Sequence, residues 1–107
     1  MTMQLPTPVA EYFATDYAGD VSADCFAPDA VVKDEGKTHT GRVEIRNWMV
    51  DSWEKYESVA TPIAIEEVGG EVIVTANCVG NFPGSPLDLR FIFGLDGDKI
   101  GTLRVTS

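Results

Sequence analysis

The chain has 107 residues, of which 44% are hydrophobic and 23% charged, with 17 acidic against 8 basic side chains. This length and composition predict one globular domain over residues 1–107 and exclude a large multidomain enzyme. The formal net charge of -9 would repel a nucleic-acid backbone or an anionic membrane surface, so neither is expected as a partner.

The two cysteines suggest no special chemistry. Cys25 and Cys78 form no CxxC pair and do not stand at metal-ligand spacing from His39, so neither a zinc site nor a disulfide framework is predicted. Buried thiols fit a reducing compartment, and no signal sequence or membrane-spanning apolar run is visible. These features favour a cytoplasmic protein, and no cofactor or metal is indicated.

The first part of the chain predicts two helices. Thr7 and Pro8 are typical of a helix start, and the helix is expected to end at Gly19. Asp20 is then expected to cap a second, shorter helix, which Pro28 ends. The apolar face of the first helix consists of Val9, Tyr12, Phe13 and Tyr17.

Residues 30–40 read as two short extended pieces around Glu35 and Gly36. Alternation places Asp34 on the same face as Val32, while His39 is expected on the outer, solvent-facing side. A clear helical pattern follows Gly41, with an apolar stripe made of Ile45, Trp48, Met49, Ser52, Trp53 and Tyr56.

The rest of the chain changes to a period of two and predicts strands over 62–68, 71–80, 86–95 and 99–106. Their short turns favour an antiparallel meander. One face is strongly apolar and consists of Val74, Ala76, Cys78, Leu89, Phe91, Phe93, Leu103 and Val105. The other face is mixed and consists of Thr75, Asn77, Val79, Arg90, Ile92, Thr102 and Arg104.

Helices followed by strands, without βαβ alternation, predict an α+β fold whose helices cover one side of a curved antiparallel sheet. The common nucleotide-binding, hydrolase-elbow and zincin motifs do not occur in the sequence. Function is therefore expected in a pocket.

Two segments resemble a known family. FAPDAVVKD at 26–34, followed by GRVEI at 41–45, is similar to the pattern FADDAxxxD…GRExI of the nuclear transport factor two-like superfamily, in its SnoaL-like and steroid delta-isomerase-like groups. The order of elements agrees over nearly the whole chain. The resemblance implies a cone-shaped, cystatin-like fold whose curved sheet wraps around the N-terminal helices and leaves a pocket at the open end.

The resemblance also implies site residues. Asp34 occupies the place of the base that moves a proton beside a ketone, and Tyr12 that of the tyrosine that donates a hydrogen bond to the forming oxyanion. Two positions depart from the isomerase pattern, because its second oxyanion donor falls at Phe91 and a supporting tyrosine falls at Met49. The superfamily also contains cyclases, dehydratases and noncatalytic binding domains.

These observations predict a small apolar pocket around Asp34. Its predicted lining is Phe13, Val32, Trp48, Met49, Val74, Ala76, Cys78, Leu89, Phe91, Leu103 and Val105. A carboxyl group in such surroundings is poorly solvated, so its pKa should rise and suit acid/base work on a small hydrophobic carbonyl compound without a cofactor. The bland interpretations are an Asp34 that satisfies turn amides, and Tyr12, Trp48 and Trp53 as ordinary core residues.

Two alternatives to an enzyme stay open. The same pocket could hold a small hydrophobic molecule without turnover, or the domain could serve as a dimerisation module. A homodimer is expected through the outer sheet face, whose contact residues are predicted to be Thr75, Asn77, Val79, Arg90, Ile92 and Arg104.

Overall fold

The computed structural model describes residues 4–107, and this part of the chain forms two helices and one six-stranded sheet. The elements are α1 (Thr7–Phe13), β1 (Phe26–Asp34), β2 (Lys37–Thr40), α2 (Arg42–Tyr56), β3 (Val59–Val68), β4 (Glu71–Val79), β5 (Leu87–Asp96) and β6 (Lys99–Thr106). The sheet order is β2-β1-β6-β5-β4-β3, and β1 and β6 are its parallel pair. The predicted α+β cone-like fold is confirmed, with a curved, open sheet of mixed direction.

The meander of β3 to β6 is antiparallel, as predicted. Strand β3 begins at Val59, earlier than the predicted start at Pro62. A proline lacks the amide hydrogen that a strand interior needs, but an irregularity in register between Pro62 and Ala64 absorbs it. The residues before it, including Val59 and Ala60, therefore continue to pair with β4.

The prediction for the N-terminal helices is wrong in two respects. Helix α1 starts with Pro6 as its cap and ends at Phe13, well before Gly19. The Thr15 hydroxyl donates to the Tyr12 carbonyl at 2.8 Å, a local bond that competes with helix continuation. The predicted second helix does not form, because the Cys25 carbonyl accepts the amide hydrogen of Ile100 at 2.9 Å and draws this segment to the sheet.

Helix α2 agrees with its predicted apolar stripe, of which Ile45, Trp48 and Met49 are buried against the sheet. Two arginines near its start fix its position. Arg42 Nε donates to the carbonyl of Phe26, the first residue of β1, at 2.9 Å. Arg46 Nε donates to the carbonyl of Val21, before β1, also at 2.9 Å. Helix α2 is thereby held beside the β1–β2 hairpin.

The β1–β2 hairpin turns at Glu35 and Gly36, which have φ values of 52° and 74°. Positive φ at both central residues is the geometry of the tight turns that suit strand twist. The prediction for His39 is wrong. His39 is the register partner of Val32, and paired residues in antiparallel strands share a face, so His39 lies half-buried on the inner side.

The inner sheet face and the two helices form one core. Val74, Ala76, Phe93 and Leu103 are fully buried there together with Val9 of α1. The helices pack on this face, so the opposite face of the sheet carries no helix within residues 4–107.

Candidate active site

A cleft of about 1150 Å³ opens between the two helices, the hairpin turn and one end of the meander. Its wall is mainly aromatic and aliphatic, with a few polar groups. The side chains that line it include Tyr12, Phe13, Asp16, Tyr17, Asp34, Glu35, Trp48, Met49, Trp53, Tyr56, Cys78, Leu89, Phe91 and Val105. The molecule therefore has room for a small organic ligand.

The cleft brings together Asp34, Tyr12 and part of the predicted lining. The predicted wall residues found there are Phe13, Trp48, Met49, Cys78, Leu89, Phe91 and Val105. Val32, Val74, Ala76 and Leu103 do not line it but are completely or almost completely buried in the core. Alternation along a strand identifies the inner face but not how far along that face the helices cover it, which explains this difference.

Asp34 ends β1, and its side chain reaches the wall of the cleft. The indole Nε1–H of Trp48 donates to Asp34 Oδ2 at 3.1 Å. Burial raises the pKa of the Asp34 carboxyl, while the Trp48 bond opposes this rise by favouring the charged form. Glu35 raises the pKa further and His39 lowers it. The result is a carboxyl group oriented by an indole and only partly solvated.

Tyr12 lies across the cleft among aromatic rings. Its ring is nearly parallel to that of Trp48, with centroids 6.4 Å apart, and meets Phe26 and Phe93 edge-on at 5.9 and 5.8 Å. Burial raises the pKa of the Tyr12 phenol well above its usual range, with smaller contributions from Tyr17 and Asp34. A neutral phenol is a hydrogen-bond donor, which is the form that a developing oxyanion needs.

Three residues of the cleft wall, Tyr17, Trp53 and Tyr56, were not predicted as site residues from the sequence. Tyr17 and Trp53 stack at 5.2 Å with an interplanar angle of 13°, and both line the cleft. The Tyr56 hydroxyl donates to Glu35 Oε1 at 3.0 Å. A signal was present in the helical stripe, because Ser52 and Tyr56 place hydroxyl groups where a closed core would favour aliphatic side chains.

Metal binding and thiol chemistry have little support in residues 4–107. No group of three or more His, Cys, Asp or Glu in this range is arranged to hold a metal ion. Burial raises the pKa of the Cys78 thiol, which keeps it protonated and poorly nucleophilic. Within the same range, neither helix is long and apolar enough to span a bilayer.

The Trp48 bond to Asp34 leads to a prediction. Trp48→Phe removes the indole N–H that stabilises the charged carboxylate, so the pKa of Asp34 should rise further. Carbon-detected NMR titration of the Asp34 carboxyl should show a midpoint at higher pH than in the parent protein.

Trp53→Phe is the matched control. Trp53 lines the same cleft but makes no hydrogen bond to Asp34, so this variant should leave the midpoint close to that of the parent. Equal midpoints in the Trp48→Phe variant and the parent would show that the indole does not tune Asp34.

The fold and site can be compared with known proteins. A candidate polyketide cyclase from Sinorhizobium meliloti shares 38% sequence identity with the chain and superposes with a TM-score of 0.88, over 95% of each chain. The chain belongs to the nuclear transport factor two-like superfamily. No family model matches the chain, and no curated protein matches it.

More distant members of the superfamily share the fold. A Catenulispora acidiphila protein with a ketosteroid isomerase-like fold, solved with trimethylamine, has 21% identity and a TM-score of 0.79, over 97% of this chain and 87% of that one. An Agrobacterium tumefaciens protein described as a candidate isomerase of the SnoaL-like family has 11% identity and a TM-score of 0.69, over 92% of each chain. Both likenesses concern the fold alone.

Proposed function

We propose that the cleft carries out acid/base chemistry, of isomerase, cyclase or dehydratase type, on a small hydrophobic carbonyl compound, with Asp34 as the base. The observation that carries this proposal is the position of Asp34, a half-buried carboxyl group on the wall of a large, mainly apolar cleft. A raised pKa brings a carboxylate closer to the basicity that proton abstraction from carbon requires.

The chemical step uses side chains alone. The Asp34 carboxylate takes a proton from the carbon beside the substrate carbonyl, and the electron pair moves onto the carbonyl oxygen. The Tyr12 hydroxyl donates a hydrogen bond to that oxygen as it becomes negative. In an isomerisation, Asp34 returns the proton to another carbon of the substrate. In a cyclisation, the enolate carbon bonds to a second carbonyl carbon of the same molecule, and Asp34 returns the proton to the alkoxide that forms.

The comparison with the Sinorhizobium meliloti protein supports ring closure, the second of these outcomes. The Sinorhizobium meliloti protein, at 38% identity, is described as a candidate polyketide cyclase. Closing a ring on a chain that contains several carbonyls requires removal of a proton beside one of them, which is the step assigned here to Asp34. Polyketide-like substrates with neighbouring carbonyls are therefore the first to screen.

A binding protein without turnover is the second candidate. Phe91 lines the cleft and cannot donate a hydrogen bond, so Tyr12 would act without the second donor found in related isomerases. Deuterium exchange distinguishes the two functions. A small enolisable ketone such as 2-tetralone should gain deuterium beside its carbonyl faster with the protein than in buffer, whereas a simple binding protein should leave the rate unchanged.

We also propose a homodimer through the helix-free sheet face. Ile73 and Ile92 pair across β4 and β5 at the centre of this face, with Arg90 and Arg104 exposed around them. The remaining contact residues proposed are Thr75, Asn77 and Val79. An apolar centre with a charged surround is the usual composition of a stable protein interface.

Ile92→Glu tests this contact. Each new carboxylate would replace an apolar contact at the centre of the interface and lose its hydration there, so the variant should sediment as a monomer while the parent sediments as a dimer. Glu67→Gln, an exposed change on the edge strand β3, serves as the control and should keep the dimer, because Glu67 pairs with the buried Val72 and therefore lies on the other face of the sheet. A dimeric Ile92→Glu variant, or a monomeric parent, would contradict the proposed contact.

A further inference from the structure

The part of the cleft around Tyr17, Glu35 and Trp53, here called its mouth, combines aromatic rings with acidic side chains. Three carboxylic acids, Asp16, Asp34 and Glu35, line the cleft, and none of its lining residues within 4–107 is Lys, Arg or His. The basic side chains of the neighbouring hairpin and helix, Lys37, His39 and Lys55, lie outside the lining, and both lysines are exposed. A ligand inside therefore meets a negative potential that water screens only in part.

Aromatic faces line the same region. Tyr17 and Trp53 are stacked on each other. Tyr56, three residues after Trp53 in α2, donates its hydroxyl to Glu35 Oε1 at 3.0 Å. The Lys55 ammonium lies 4.9 Å from the centre of the Tyr56 ring, so a cation already occupies an aromatic face in this part of the molecule. Rings attract cations through their electron-rich faces, and the attraction grows as water is removed.

These two features favour one kind of ligand. An anion would be repelled by the three carboxylates, and a neutral ligand would gain no charge attraction from them. A primary ammonium could bond to these carboxylates, but it is strongly hydrated and has little apolar surface to pack against the rings. An alkylated nitrogen keeps its positive charge, has a smaller hydration cost, and packs against rings.

The geometry points to a ligand that joins an apolar body to a cationic, alkylated nitrogen, with the nitrogen at the mouth against Trp53 and Tyr17 and near Glu35. This inference rests on the proposed function, because it uses Asp34 and Tyr12 for the reacting carbonyl and leaves Glu35 for recognition. Glu35 thereby determines specificity without taking part in proton transfer.

The test compares two probes of nearly identical shape. Benzyltrimethylammonium carries the charge, and neopentylbenzene has carbon in place of nitrogen. Both tryptophans of the chain, Trp48 and Trp53, line the cleft, so their fluorescence reports binding directly. The cation should bind at least about tenfold more tightly than the hydrocarbon.

Variants assign the preference to Glu35. Glu35→Gln should reduce the preference at least about threefold, since it removes the carboxylate charge that Tyr56 holds in the cleft wall. Glu54→Gln makes the same charge change on α2 outside the cleft lining and should have no effect. Equal binding of the two probes, absence of binding by both, or equal effects of the two variants would overturn the inference.

The same proteins separate this inference from the proposed function. Asp34→Asn should lose deuterium exchange into 2-tetralone but keep a preference for the cation, because Glu35 and the rings remain. A parent protein that prefers the cation but accelerates no exchange would remove the proposed reaction and leave the ligand class. A parent protein that accelerates exchange but does not prefer the cation would remove the inferred ligand class and leave the proposed reaction.

Discussion

Asp34→Asn should lower the protein-catalysed rate of deuterium exchange beside a ketone carbonyl by about 10²- to 10⁴-fold, the usual contribution of a positioned general base. Asparagine has nearly the same shape, and its carbonyl oxygen can still accept the Trp48 hydrogen bond. Loss of rate would therefore reflect loss of the base rather than of the cleft. The measurement is NMR detection of deuterium incorporation into 2-tetralone.

Stability provides the control for this variant. Burial raises the pKa of Asp34, so the folded chain binds this proton more tightly than the unfolded chain. Ionisation of Asp34 consequently lowers the free energy of unfolding as pH rises from the ordinary aspartate range through the raised pKa. Asp34→Asn should be at least as stable as the parent at neutral pH, with the difference shrinking in acid.

Two results would contradict this account of Asp34. An Asp34→Asn protein that retains full exchange activity would place the base elsewhere. A variant that loses activity only because it unfolds in urea more easily than the parent would make Asp34 a structural residue. Unfolding followed by circular dichroism, at several pH values, separates these cases.

Phe93→Ala should lower the free energy of unfolding by about 3–5 kcal/mol, which is a large fraction of the ~5–15 kcal/mol that stabilises a typical domain. Phe93 has no exposed surface, and its ring lies 5.8 Å from that of Tyr12 and 5.9 Å from that of Phe13. Truncation would leave a cavity between β5 and α1. It would also remove a ring that positions the Tyr12 phenol.

Ile63→Ala is the matched comparison for Phe93→Ala. Ile63 is another large apolar residue of the sheet, but it is 51% exposed on the edge strand β3. Its truncation should cost much less, since little surface returns to water and no closed cavity forms. Urea denaturation of both variants measures the difference. Similar losses would mean that Phe93 is not a central core residue.

The elements with a long, regular pattern could be predicted from the sequence. Helix α2 carries apolar residues at every turn, β4 alternates over its whole length, and β5 alternates through its middle, so local periodicity and burial agree there. The placement of Asp34 on the inner side followed from its alternation with Val32. These features needed no knowledge of distant contacts.

The remaining features depended on contacts between distant parts of the chain. The segment before Phe26 has helical spacing, yet the Cys25 carbonyl pairs with the Ile100 amide, far along the sequence. The side of the hairpin that His39 occupies depends on its register with Val32. The Trp48 bond to Asp34 joins a helix to a strand end, and no local pattern encodes such a distance.

The proposed chemistry requires a carboxyl group that is partly removed from water, and carbon-detected NMR titration of Asp34 in the parent protein tests this directly. We expect a midpoint above the ordinary aspartate value of about 3.9, because burial disfavours the charged form. A midpoint at or below that value would mean that Asp34 is well solvated or firmly paired, and would contradict its role as the base of the cleft.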